Sequence, residues 1–496
     1  MQLTWHSYRY LPYERELASR EVLALLNISM KSETDGPVLL SECAATEPAK
    51  RLTYFSGFLH GLDYVETVQH QLETAARSGK NRQATRYSVH GLHEYKGKFN
   101  PQVVRALLNI FGVRAGASVL DPFCGSGTTL VECAHLGARG YGFDINPFAV
   151  YVANAKLQAL ACPSAELWSI LARLTKRLNQ TKKWDIKIPD SARERYLASW
   201  FTPPLLQQIE VLREKIQDTA GSLAPIFLTI ASNLLRDYSL QDPNDLRIRR
   251  RESPLPETAL KTVFLSACDN AIQKLEAAQA VLGVRSTVGL AKNCDINNAS
   301  RRDFGREFDA AITSPPYAMA LPYIDTQRLS LVWLELLPPD QIGQLEADLI
   351  GSREVRGTGR KALHQELMTN ASDIPAEELE FCLQLQRALG ESDGFRREAV
   401  PTLLYRYFAA MQASFRTVLG TLKRGGRYGL IVGHNHTVLG GVKRDINTPA
   451  HLVSIAQRVG WKVDEAVPLQ TYQRYGYHAS NAVRAETLIL LSKHSS

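Results

Sequence analysis

Residues 118–129 read Ser118-Val119-Leu120-Asp121-Pro122-Phe123-Cys124-Gly125-Ser126-Gly127-Thr128-Thr129. Ser118 to Leu120 is short, apolar and partly β-branched, the pattern of a buried strand. Asp-Pro then ends the strand, and Gly125 and Gly127 permit a tight turn that brings backbone close to a ligand. Leu130, Val131, Ala134 and Leu136 follow at spacings that suit a helix packed on a sheet. A second strand, Gly140-Tyr141-Gly142-Phe143-Asp144, ends in an acid about 20 residues past the glycines, where a nucleotide-binding βαβ unit sets a carboxylate against ribose hydroxyls. The glycines form G-x-G without the third glycine of a dinucleotide fingerprint, so a purely structural turn stays open on this stretch alone.

A partner stretch lies far along the chain: Phe308-Asp309-Ala310-Ala311-Ile312-Thr313-Ser314-Pro315-Pro316-Tyr317. A strand runs into two prolines that fix the backbone and carry no N–H, and an aromatic ring follows directly. Such a turn can hold acceptors against a planar amino group while the ring stacks on a base.

On these two motifs the chain resembles the S-adenosylmethionine-dependent amino-methyltransferases of DNA, whose cosubstrate motif is DPFxGSGT and whose catalytic motif is [DNS]-P-P-[YFW]. The resemblance implies an α/β fold: a Rossmann-like class I methyltransferase sheet with a terminal antiparallel hairpin, here interrupted by two mainly helical insertions. It implies S-adenosyl-L-methionine as cosubstrate, held by Asp121, Pro122, Phe123, Cys124, Gly125, Ser126, Gly127 and Thr128. Asp144 and Ile145 would serve the ribose. Lys98-Phe99-Asn100-Pro101 resembles the family's K-F-x-P segment on the methionine side, so Lys98 and Phe99 join the set. Asp295 and Ile296 follow a strand expected over residues 286–290 and would meet the adenine. Catalysis falls to Ser314, Pro315, Pro316 and Tyr317. The Ser-initial turn is most like the cytosine-N4 branch and also occurs among adenine-N6 enzymes. The cosubstrate half precedes the catalytic half, the reverse of many family members.

At 496 residues and 45% hydrophobic, the chain has material for a full α/β core and further modules. A net charge of +8 fits a polyanionic partner without requiring one. Cys43, Cys124, Cys133, Cys162, Cys268, Cys294 and Cys382 form no C-x-x-C pair and no zinc spacing, which points to reduced thiols, no metal and a cytoplasmic location. No apolar run reaches membrane-spanning length and no signal-peptide core stands at the N-terminus, so no membrane partner is expected.

Six segments follow from the patterning. Residues 1–88 read as a helical extension whose early aromatics pack rather than stack on bases. Residues 89–160 form the cosubstrate half of the core; within them His93 and Lys96 are phosphate contacts or plain loop residues. Residues 161–284 form a helical insertion, read as the DNA-recognition unit. There Arg247, Arg249, Arg250 and Arg251 lie in a proline-bounded loop suited to phosphates, the alternative being a solvated loop or internal ion pairs. Residues 285–320 carry the catalytic strand. Residues 321–400 form a second insertion, with Arg353, Arg356, Arg360 and Lys361 in a basic loop over 351–361 that suits nucleic-acid backbone or a lid. Residues 401–496 complete the core. His434 and His436 read as loop residues, having no third ligand nearby. Tyr472, Arg474, Tyr475, Tyr477 and His478 form an aromatic-basic loop that either shapes a pocket for a flipped base or packs ordinarily.

The reading is therefore methylation of cytosine N4 in double-stranded DNA, with adenine-N6 methylation, guanine-N2 methylation of RNA and a non-catalytic binding protein as rivals. Carbon-5 chemistry is disfavoured because no Pro-Cys nucleophile turn occurs. No nuclease motif stands out, so a restriction-modification or defence role would need a separate endonuclease partner.

Overall fold

A computed structural model describes residues 1–30, 36–40, 45–74, 83–184, 186–286, 288–299, 301–319, 323–354, 359–470 and 485–494. The N-terminal region departs from the helical expectation. It holds four strands, β1 (Gln2–Trp5), β2 (Val38–Leu39), β3 (Phe55–His60) and β4 (Asp63–Glu66), in the antiparallel order β2-β1-β3-β4, beside helix Pro12–Leu26. The difference lies in residues 54–76, whose apolar spacing suits one amphipathic segment. Gly61 takes a left-handed φ of +67° and turns the chain there. Gly57 sits so close to β4 that a Cβ would meet the Val65 carbonyl oxygen at 2.5 Å. Glycines at these two positions are a hairpin signal that outranks the apolar spacing around them.

The central sheet contains β5 (Ser118–Asp121), β6 (Arg139–Asp144), β7 (Leu290–Asn293), β8 (Phe308–Thr313) and β9 (Leu422–Gly433). After β9 a separate hairpin, β10 (Asn435–Leu439) with β11 (Val442–Ile446), projects before β12 (Lys462–Gln470) and β13 (Ala485–Ser492) close the sheet. The order is β12-β13-β9-β8-β5-β6-β7. Strands β7, β6, β5, β8 and β9 are parallel, and β13 enters antiparallel between β9 and β12. This is the Rossmann-like sheet with a terminal antiparallel pair that the motifs implied. The order reverses between β5 and β8, which pair through Val119 and Ala310, so the Gly-rich turn and the Ser-Pro-Pro-Tyr turn leave adjacent strand ends. In open α/β sheets ligands bind at this switch point.

Two strand boundaries differ from the sequence reading. β7 begins at Leu290, not near residue 286, because Gly289 lies against the Gly140 carbonyl with no room for a side chain. His434 lies between β9 and β10 as a loop residue, whereas His436 pairs with Asp445 in the β10–β11 hairpin.

The first insertion is helical as expected, with helices Ser164–Gln180, Ala192–Ala198, Pro203–Ala220, Ala224–Ser232 and Leu260–Leu282. Leu167, Leu174, Ile209, Phe227 and Phe264 share one buried cluster with Leu130, Phe148 and Leu157 of the core, so the insertion is packed onto the sheet. In the second insertion the basic stretch is only partly loop: Gly359–Thr369 is a helix, which puts Arg360 and Lys361 on its first turn. Among the described residues no helix is long and apolar enough to cross a membrane.

Candidate active site

The turn after β5 is fixed from three sides. Asp121 Oδ1 accepts hydrogen bonds from the Phe123 amide at 3.1 Å and from Thr313 Oγ1 at 2.6 Å, so the last residue of β8 is tied to the last residue of β5. Burial pushes the Asp121 carboxyl up to about 6 against these bonds. The Cys124 amide donates to the Phe143 carbonyl at 3.0 Å, and Pro122 and Phe123 pack behind the turn. At Gly127, with φ +80°, a Cβ would strike Ala153 Cβ at 2.8 Å, so the residue-type requirement comes from helix Pro147–Ala161 crossing behind. At Gly125 the nearest atom to a Cβ would be the Tyr95 ring at 3.5 Å, which places that ring over the turn.

Asp144 occupies the end of β6. Its Oδ2 accepts from the Gly125 amide at 2.9 Å and its Oδ1 from the Asn146 amide at 2.9 Å. Burial raises its carboxyl to about 6 in spite of both bonds. Each oxygen keeps a lone pair for a further donor. Ile145 is half-buried, and its carbonyl takes Asn293 Nδ2 at 2.7 Å. Asp295 stands just beyond β7 and caps the following turn through the Asn297 amide at 2.9 Å, whereas Ile296 is buried beneath it against the Phe304 and Phe308 cluster.

The Ser-Pro-Pro-Tyr turn leaves β8 beside these groups. Ser314 Oγ donates to the Ile431 carbonyl on β9 at 3.3 Å, which uses its proton and leaves oxygen lone pairs free. Pro315 is buried and Pro316 half-buried. The Tyr317 hydroxyl donates to Glu486 Oε1 on β13 at 2.7 Å and tethers the ring. Behind the turn, Gly351 with φ +78° approaches so closely that a Cβ would meet the Tyr317 carbonyl oxygen at 2.3 Å. Asn435 Nδ2 donates to the Ala318 carbonyl, and Arg353 Nε to the Met319 carbonyl at 2.8 Å.

Several supports of this site carry no sequence signal. Lys156 is fully buried and donates to the Ser126 carbonyl at 2.9 Å, its ammonium pushed well down by burial. Asn146 Nδ2 donates to Gln327 Oε1, joining the ribose-side turn to the second insertion. Glu486 belongs to the same class. Each acts through a partner remote in sequence, so only the fold reveals it.

Lys98 is bonded to backbone carbonyls of the segment that precedes it. Its Nζ donates to the Thr85 carbonyl at 2.7 Å and the His90 carbonyl at 3.3 Å, and burial brings it down to about 7. Phe99 packs against the cluster of Val103 and Leu107. His93 is buried edge-on against Phe148 with neither ring nitrogen partnered, and burial takes it down to about 3, whereas Lys96 is exposed. Both line a cleft of about 270 Å³ with Tyr95, Asn233, Arg236 and Gln327. Tyr95 is thus a wall common to this cleft and the Gly-rich turn.

The basic loops separate into inward and outward groups. Arg251 is turned into the protein, donating to the Asp237 carbonyl at 2.6 Å and the Ser239 carbonyl at 3.0 Å. Arg250 bonds the Ser199 carbonyl at 3.1 Å and lies 5.4 Å over the Trp200 ring, and it stays exposed. Arg249 pairs with Asp245 at 3.4 Å yet stays exposed, as does Arg247. Arg360 and Lys361 are exposed, whereas Arg356 and the aromatic-basic loop Tyr472–His478 fall outside the described residues.

His90, Glu132 and His135 could geometrically hold a cation among the described residues. Glu132 already meets His90 Nε2 at 2.7 Å, the Tyr87 hydroxyl at 2.8 Å and the Arg105 guanidinium at 3.2 Å. The neighbouring guanidinium makes this a buried ion-pair centre that fastens residues 87–90 to the helix after the Gly-rich turn.

Residues 55–155 match a family described as DNA methylase, named for N6 and N4 methyltransferases. The chain is 38% identical over 122 residues to the type II methyltransferase M.MjaII of Methanocaldococcus jannaschii, which covers 23% of this chain and 22% of that protein. It is 24% identical over 311 residues to the type II methyltransferase M.BsoBI of Geobacillus stearothermophilus, covering 58% of this chain and 59% of that one. A segment of 52 residues is 44% identical to a tRNA (guanine(10)-N2)-dimethyltransferase of Methanothermobacter thermautotrophicus, covering 10% and 16% of the two chains. The chain thus spans about a fifth of the first relative's length and 59% of the second's.

Proposed function

We propose that this protein is an S-adenosyl-L-methionine-dependent DNA methyltransferase that modifies the exocyclic N4 of cytosine, acting as the modification component of a restriction-modification or defence system. The DNA methylase match over residues 55–155 and the likeness to type II methyltransferases support methylation of DNA. The observation that carries the reading is the pairing of the two turns: Asp121 bonded to Thr313 holds the Gly-rich turn and Ser314 on adjacent strand ends.

The turn residues fit the cosubstrate. A Cβ at Gly125 would stand in the space between the turn and the Tyr95 ring, Ser126 Oγ is buried without a partner, and Asp144 has lone pairs to spare. When bound, S-adenosylmethionine supplies an electrophilic methyl on a sulfonium. Asp144 would accept from its ribose hydroxyls, and Asp295 from its adenine amino group. Ser314 Oγ, its proton spent on Ile431, and the Pro315 carbonyl would accept the two hydrogens of the target amino group. Those bonds draw the nitrogen lone pair out of conjugation and aim it. Tyr317, tethered by Glu486, would stack on the flipped base. Rate enhancement then comes from positioning and from preorganised acceptors, with no covalent enzyme intermediate.

The test is expression in a methylation-free bacterial host, followed by sequencing of host DNA with a method that separates N4-methylcytosine from N6-methyladenine. Methylated cytosine at one short motif, lost in the Ser314→Ala, Tyr317→Ala double variant, is the expected result. Methylated adenine would keep the mechanism and change the base. An unmodified genome, with the purified protein still binding S-adenosylmethionine, would remove the DNA reading and turn attention to structured RNA.

A further inference from the structure

Phe395 opens the short helix Phe395–Glu398 of the second insertion, and its side chain is 59% exposed. An aromatic ring this open to water loses most of its burial free energy unless a partner covers it. Two guanidinium groups lie near its faces: Arg360 at 5.5 Å and Arg396 at 5.6 Å from the ring centroid. Two like charges at one ring repel each other, which makes an anion between or beside them favourable.

The segment is held firmly. The Asp393 carboxylate accepts from the Gly390 amide at 3.0 Å, from the Gly440 amide at the hairpin turn at 2.7 Å, and meets Arg397 at 3.4 Å. Through the hairpin it is connected to the catalytic turn, because Asn435 at the start of β10 bonds the Ala318 carbonyl. Arg353 donates to the Met319 carbonyl two residues past Tyr317, and Arg247 and Arg396 are close enough to destabilise its charge further once burial has done so. Arg247 of the first insertion and Arg353 and Arg396 of the second are therefore near one another past the Ser-Pro-Pro-Tyr turn, and Arg396 with Arg360 flanks the exposed ring.

We infer that Phe395 is a wedge that enters the base stack of duplex DNA next to the flipped nucleotide, with Arg360 and Arg396 on the flanking phosphates. The inference rests on the DNA reading above and goes beyond it by naming the surface that meets the duplex. A nucleic acid supplies what this surface lacks, flat apolar faces for the ring and phosphates for the guanidinium groups. Proteins that unstack a base step use apolar side chains in this way.

The test compares the full-length protein with Phe395→Ala, Phe395→Trp and an Arg360→Ala, Arg396→Ala double variant. Two short duplexes are used: one carries the motif found by host-genome sequencing, and the other has a mismatch at the target pair. Unchanged S-adenosylmethionine binding verifies that each variant is folded. Phe395→Ala is expected to bind the paired duplex about tenfold more weakly, the order of one base stacked on an aromatic ring. It should lose much less on the mismatched duplex, where the step is already loosened, and Phe395→Trp should bind both duplexes like the wild type. The double arginine variant should flatten the plot of log affinity against log salt by about 0.9 for each phosphate no longer neutralised. Equal loss on both duplexes, no loss for Phe395→Ala, or an unchanged salt slope overturns the inference. A wild-type protein that binds neither duplex overturns the DNA reading itself, and does so before any variant is measured.

Discussion

Asp144 links the chemistry of the site to pH. Its carboxyl is raised to about 6, so below that value one of its oxygens carries a proton and loses acceptor capacity. Cosubstrate affinity is therefore expected to fall as pH drops through about 6, measured by calorimetric titration on either side. Asp144→Asn should remove that step and weaken binding about tenfold to a hundredfold, the range for a hydrogen bond to a charged acceptor. An affinity that is flat across the window would refute the role. The same shift acts on folding with the opposite sense: between 3.8 and about 6 the folded chain keeps a proton the unfolded chain has lost, so this group's contribution to stability declines as pH rises through that window. At the catalytic turn, Tyr317→Phe keeps the ring but loses the tether to Glu486, and a kcat about tenfold lower with unchanged cosubstrate affinity is expected. Steady-state kinetics alongside calorimetry checks this. Asp121, Asp144, Ser314 and Tyr317 were legible because each sits inside a motif whose chemistry needs it. Glu486 was not, since its partner is 169 residues away and no local pattern joins them.

Among the elements, the loop after helix Ile342–Asp348 sets the position of the catalytic turn. Gly351→Ala would put a methyl group 2.3 Å from the Tyr317 carbonyl oxygen at a φ of +78°, so the turn must shift. A displacement of an ångström at reacting groups costs about a hundredfold in rate. Single-turnover kinetics should show that loss in the chemical step, with cosubstrate affinity little changed, because β6 also holds the Gly-rich turn, through Asp144 and the Phe143 carbonyl. The strands β5, β6 and β8 and the helices of the first insertion could be read from periodicity and turn residues. The N-terminal hairpin could not be read from spacing alone, since apolar residues at 54–58 fit a helix or a strand until Gly57 is weighed as a close strand approach and Gly61 as a turn former. The β10–β11 hairpin escaped for a different reason: only Leu439 and Ile446, one at the end of each short strand, are buried, so no period-two apolar pattern marks it.

Across the whole molecule, the N-terminal sheet is joined to the core by contacts of unequal worth. Asn109, buried on helix Pro101–Ile110, donates to Glu21 at 2.6 Å and accepts from Arg51 at 2.7 Å. Asn109→Ala leaves a buried carboxylate and a guanidinium short of partners, at a cost of about 3 kcal/mol in urea denaturation. Arg20→Ala breaks an exposed pair with Glu465 and should cost less than about 1 kcal/mol in the same experiment. The order of parts, cosubstrate turn first and catalytic turn second, was open to inspection in the sequence. Which arginine turns inward was not, because Arg251 looks identical to Arg247 until backbone carbonyls claim it.

The pairing of β5 with β8 also has a consequence in time. Ser118 and Asp309, bonded at 2.7 Å where these strands begin, are 191 residues apart. At about 5–20 residues per second of synthesis, β5 waits on the order of 10–40 s for its neighbour to leave the ribosome. During that interval the apolar strand that carries the cosubstrate turn has an open edge. The first insertion, made entirely within the wait and packed on Leu130, Phe148 and Leu157, is in place to shield the nascent half-sheet before its catalytic partner exists.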